Sequence, residues 1–146
     1  MTPAIHQSEE FSASPAVLFE MYMDSKKHSS ATGGAAKLSR RAGGNFTAWN
    51  GQLWGQNLLI VPNRLIVQTW RSSNFKKSDT DSILVLTFSK ASRGGQVDLV
   101  HVGVPAQDHA GVSQGWPKYY WIPWRAYLQK RSLAGILARR KTRRKK

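Results

Sequence analysis

The 146-residue chain contains no cysteine. That absence excludes a disulfide scaffold, zinc knuckles built on thiolates and any cysteine nucleophile. Acids are scarce, with 8 Asp and Glu against 22 Lys and Arg, for a formal net charge of +14. Long apolar runs are missing too: none approaches the roughly 20 residues of a membrane helix. Residues 1–11 lack the basic start and apolar stretch of a signal peptide, so a cytoplasmic protein is expected. No catalytic or metal constellation stands out. His6, His28, His101 and His109 have no metal-ligand spacing, and a site without metal or cofactor is expected. Glu9 with Glu10 falls on opposite faces of a strand, and Asp79 with Asp81 falls in a polar stretch, so neither pair suits acid and base work. The paired glycines lack the spacing of a phosphate cradle and read as turns.

What is present divides unevenly. Residues 130–146 carry nine basic side chains and no acid, which leaves 13 basic and 8 acidic side chains in residues 1–129. The length fits one domain that hides roughly two thirds of its unfolded surface and needs no staple. Two units are expected: a folded domain over 1–129 and a basic, disordered tail over 130–146.

Residues 4–12 have the length of a strand. Ser14 can cap a helix that opens on Pro15, with Val17, Leu18, Met21 and Tyr22 at helical spacing. A second short helix starts from Asp24 or Ser25 and must stop before Gly33 and Gly34. From Lys37 the pattern changes to runs rich in β-branched and aromatic residues. Asn50-Gly51 predicts a two-residue hairpin turn, Pro62-Asn63 a second break, and Gly94-Gly95 a third. Five or six strands follow the helical pair as an antiparallel meander. Parity turns Val97, Leu99 and His101 inward, because Asp98 is costly to bury. Leu84, Leu86 and Phe88 form a second inward set, and Ile66, Gln68 and Trp70 a third, in which Gln68 demands a hydrogen-bond partner. A closing helix over 117–130 opens at Gly115-Trp116-Pro117. Its Tyr120, Trp124, Tyr127 and Leu128 make an apolar stripe, and Pro123 predicts a kink near Tyr119 or Tyr120.

These motifs stand in a recognisable order. Ser14-Pro15, Gly43-Gly44-Asn45-Phe46, Asn50-Gly51, Val61-Pro62 with residues 66–71, and residues 115–120 resemble the carboxyl-terminal domain of the activators of the ninety-kilodalton heat-shock chaperone's ATPase. That group lies within the START-like, birch-allergen superfamily, and the resemblance spans about residues 11–128. It implies an α+β helix-grip fold, in which a curved antiparallel sheet wraps a long carboxyl-terminal helix and two short helices follow the first strand. It also implies a cavity between sheet and helix for an apolar small molecule. Phe46, Ile66, Trp70, Leu84, Leu86, Phe88, Leu99, Tyr120 and Trp124 are expected to line it, with His101 as the orienting polar group. The alternative to a cavity is an interior filled to ordinary density. Stimulation of the chaperone's ATPase is a second implied role. Some superfamily members are cyclases or hydrolases, but the residues favour binding over catalysis. The tail offers a third role. Arg139, Arg140, Lys141, Arg143, Arg144, Lys145 and Lys146 could neutralise nucleic-acid phosphates, or lie with Leu133, Ile136 and Leu137 on an anionic membrane. No aromatic residue follows Tyr127 to stack on bases, which favours a solvated end.

Overall fold

The computed structural model describes residues 2–144, with side chains for residues 2–140. Strand β1 (Ile5–Phe11) leads into α1 (Pro15–Met23) and α2 (Ser25–Thr32). Both caps form: Ser14 Oγ accepts the Val17 N–H at 3.2 Å, and Asp24 Oδ2 accepts the Lys27 N–H at 3.0 Å. Gly33 ends α2 in the left-handed region that a side chain would disfavour. Six strands follow: β2 (Lys37–Leu38), β3 (Asn45–Ala48), β4 (Leu53–Val61), β5 (Leu65–Ser72), β6 (Ser82–Ala91) and β7 (Gly94–Val102). They form one curved antiparallel sheet in the order β1-β7-β6-β5-β4-β3-β2. Inward parity is as expected in β5, β6 and β7, with Ile66, Gln68, Trp70, Leu84, Leu86, Phe88, Val97, Leu99 and His101 all buried. A register shift between Asn57 and Leu59 bends β4 and leaves Leu58 and Leu59 exposed on its outer side.

Two turns differ from the sequence reading. The Asn50-Gly51 connection spans four residues, since Ala48 pairs with Leu53, and Trp49, Asn50 and Gly51 all have positive φ. Gly94 and Gly95 do not separate the last two strands but begin β7, paired with Lys90 and Ala91 of β6. Gly95 is there because the corner after β1 passes close: a Cβ would stand 2.6 Å from the Ala13 carbonyl oxygen and 2.8 Å from Leu18 Cδ1.

The carboxyl-terminal helix departs most. It begins as α3 (Ala106–Trp116), passes through a π-helical turn (Pro117–Trp121) and continues as α4 (Ile122–Arg144). Gly115-Trp116-Pro117 therefore lies inside a helical run instead of opening it. Proline is tolerated there because its missing donor is replaced. Ser113 loses its N–H partner at Pro117, and the Gln7 side-chain amide of β1 donates to that carbonyl at 2.8 Å. The Ile122 N–H then reaches back five residues to the Pro117 carbonyl. Where Pro123 predicts a kink near Tyr119 or Tyr120, the helix carries this π turn, which contains both residues. Past residue 129 the described side chains are almost all exposed, and α4 continues to Arg144.

Candidate functional site

Half of the space under the long helix is filled. Trp124 is fully buried against Phe11, Tyr120 and Trp121, with ring centroids 5.4 to 6.4 Å apart. Ile66, Leu84, Leu86 and Leu99 have no exposed surface, and Phe46 and Phe88 almost none. Those residues, expected to line a cavity, belong to one packed core.

Two buried polar chains run through that core. Tyr22 donates its hydroxyl to Gln68 Oε1 at 2.7 Å, and Gln68 Nε2 donates to Asn57 Oδ1 at 2.9 Å, which supplies the partners Gln68 needed. His28 donates from Nδ1 to the Tyr22 carbonyl and accepts the Tyr120 hydroxyl at Nε2. Burial holds His28 down to about 4, partly offset by that backbone bond, and pushes the Tyr22 and Tyr120 hydroxyls up, so all three stay neutral. His101 is placed similarly. The Trp116 indole N–H, which can only donate, bonds its Nδ1 at 3.2 Å, so Nε2 carries the proton and donates to Ser82 Oγ at 2.8 Å. Ser82 in turn donates to the Trp70 carbonyl. Burial, with a smaller contribution from His109, holds His101 down to about 3. Both of its ring nitrogens are thus engaged by the protein itself, and neither is left to orient a ligand.

The other half of the space is open. A cleft of about 520 Å³ lies between α3 with the π turn on one side and the β3–β4 connection and the end of β5 on the other. Of the ten residues expected at a cavity, Trp70 and Tyr120 border this cleft. The sequence reading did not place Trp49, Trp116, Tyr119 or Asp108 there. Trp49 is held at φ 50, a conformation costly for a bulky residue. Its ring lies across Gly34, where a Cβ would come within 2.5 Å, and meets Tyr119 edge-on at 5.1 Å. Its indole nitrogen is buried without a partner. Opposite, Trp116 packs between Trp70 and Tyr120. Asp108 stands in the first turn of α3, 6 % exposed, and accepts from Ser72 Oγ at 2.6 Å and Asn74 Nδ2 at 3.3 Å. The bond ties α3 to the loop after β5.

The carboxylates considered for acid and base work do not converge. Glu9 pairs with Arg125 at 2.6 Å and Asp81 with Arg71 at 3.0 Å, while Asp79 caps the Lys76 N–H. Among the described residues no three His, Asp or Glu side chains come together as a metal would need. No described helix is long and apolar enough to cross a membrane. Arg139 and Arg140 are exposed on α4, as are Leu133, Ile136 and Leu137. The side chains of Lys141, Arg143 and Arg144, and all of Lys145 and Lys146, lie outside the described residues.

A curved antiparallel sheet gripping a long terminal helix, with a helical pair after the first strand, defines the START-like helix-grip class. Within that class, residues 12–128 match the model of the family described as "Activator of Hsp90 ATPase homolog 1-like protein", and the chain belongs to this family. Among curated relatives, the activator of 90 kDa heat shock protein ATPase homolog of Dictyostelium discoideum is 28% identical over 118 residues, covering 80% of this chain and 30% of that protein. The corresponding homolog 1 of Homo sapiens is 28% identical over 121 residues, covering 82% of this chain and 35% of that one. The chain thus spans about a third of the length of these relatives. A crystal structure of an HSP90 activator from Plasmodium falciparum shares the fold, with a TM-score of 0.78 at 20% identity, over 86% of this chain and 96% of that one.

Proposed function

We propose that the protein binds a small, largely apolar molecule in the cleft beside α3. The supporting observation is the open volume of about 520 Å³ bordered by Trp49, Trp70, Trp116, Tyr119 and Tyr120, beside a packed core of buried side chains. Small-molecule sites generally occupy about 300–1,000 Å³ and combine apolar walls with a few polar groups. Here the polar groups are the Ser72, Asn74 and Asp108 cluster and the Asn50 and Gln52 amides. Native mass spectrometry of protein purified from its host, followed by a crystal structure of any adduct, tests the reading. A retained mass seated between Trp49 and Trp116 supports it. Ligand-free spectra, together with a crystal structure in which the cleft is collapsed, contradict it.

A second reading follows from the relatives named as activators of the heat-shock chaperone's ATPase. On that reading the domain contributes to chaperone stimulation, and the purified chain raises ATP turnover by its host's ninety-kilodalton chaperone. No complex and unchanged turnover remove it.

A further inference from the structure

Asp108 is the only charged side chain among the described residues that border the cleft. It is 6 % exposed, yet none of the ion pairs among the described residues includes it. Buried carboxylates are ordinarily matched by a cation. Its two hydrogen bonds come from neutral donors, Ser72 and Asn74, and a carboxylate offers about four acceptor positions. Placement in the first turn of α3 accounts for part of its stability through the helix dipole. It does not account for what stands next to it.

The face of α3 that carries Asp108 continues with Gly111 and Gly115, one turn apart, and both border the cleft. Glycine inside a helix costs about 1 kcal/mol relative to alanine. Close packing does not demand it at Gly115, where a Cβ would meet Tyr119 at an ordinary 3.5 Å; at Gly111 a Cβ would press on Asp108 Oδ1 itself, at a tight 3.3 Å. What the two glycines leave clear is the approach to the carboxylate. The rings around this approach suit a cation, and Lys118 already holds its ammonium over Tyr119, 5.2 Å from the centroid.

We propose that the cleft selects an organic cation: a protonated amine carried on a flat apolar body, the amine at Asp108 and the body among Trp49, Trp116 and Tyr119. The inference rests on the cleft reading above and adds the charge and polarity of the occupant. It runs against the chain's net charge of +14, which by itself would gather anions.

Calorimetric titration with three probes of one shape tests it: 2-naphthylmethylammonium, 2-naphthylmethanol and 2-naphthoate. The ammonium should bind about tenfold or more tighter than the alcohol, as a charge-assisted contact with aromatic support implies, and the naphthoate should bind most weakly. Asp108→Asn keeps the shape of the side chain and should erase the preference of ammonium over alcohol, with alcohol affinity retained. Gly111→Ala, which crowds Oδ1, should weaken the ammonium more than the alcohol. Equal affinity for ammonium and alcohol in the unsubstituted protein overturns the charge selectivity and leaves the cleft as a neutral site. Tightest binding of naphthoate overturns it as well. Failure of all three probes to bind removes the cleft reading and this inference together. The comparison of probes on the unsubstituted protein decides the matter even where a variant does not fold.

Discussion

Beneath α4 the sheet and helix meet through large side chains: Trp124 is wholly buried, and Leu84, Leu86 and Leu99 beside it expose nothing. Beneath α3, the same continuous run presents Gly111, Val112 and Gly115 to the opposite wall, and a cleft of about 520 Å³ remains. Helix and sheet are continuous across both regions, so the difference comes from side-chain volume. The π turn sits at the junction and keeps Trp116, Tyr120, Trp121 and Trp124 all buried across it. Filling one half fixes the other: Trp116 is held by the buried His101 and packs on Trp70, and both tryptophans also border the open cleft.

Several changes would break or sharpen this contrast. Trp124→Ala empties the packed half and should cost roughly 3–5 kcal/mol, read from the denaturant midpoint. Gly115→Ala in the open half should do the reverse.

Acid reports on the packed half. Burial holds His28 down to about 4 and His101 down to about 3 in the fold, whereas both titrate near 6.5 when unfolded. The unfolded chain therefore binds more protons below pH 6.5, and stability falls with pH until the folded values are reached. Going from pH 7 to pH 5 should cost about 2 kcal/mol per histidine, visible as a falling midpoint in denaturation series. A variant with both histidines replaced by glutamine should show a much flatter profile over the same window.

His101→Phe isolates one of these polar chains. It strands the Trp116 indole N–H, and loss of one partner of a buried donor costs about 1–3 kcal/mol in the same denaturation assay. The smallest effect belongs to Gly115→Ala, an expected gain of roughly 0.5–1 kcal/mol from helix propensity, accompanied by weaker binding of the naphthyl probes. A loss of stability there would mean that the glycine serves packing.

Parity made the sheet legible. One costly residue, Asp98, sufficed to orient β7, and the inward sets of β5 and β6 followed from bulk. The first two helices were legible from Ser14, Pro15 and Asp24 because capping is local chemistry. Helix α3 was not. Its buried positions are Asp108, Val112 and Trp116, at helical spacing but led by a carboxylate, and its glycines and the following proline read as breakers. What overrides those signals is tertiary: Gln7, more than a hundred residues earlier, supplies the bond Pro117 cannot. Missing α3 meant missing the cleft, since most of one wall belongs to it. Trp70 and Tyr120 were found because they face inward by periodicity. Trp49 was hidden by a turn longer than Asn50-Gly51 alone predicts.

The division between a closed core and an open cleft is most directly tested by following the six tryptophan indole N–H signals in a nitrogen–proton correlation spectrum during titration with 2-naphthylmethylammonium. The account predicts saturable shifts for Trp49 and Trp116 while Trp121 and Trp124 stay in place. Uniform shifts across all six, or movement of Trp124 with Trp49 silent, would contradict it.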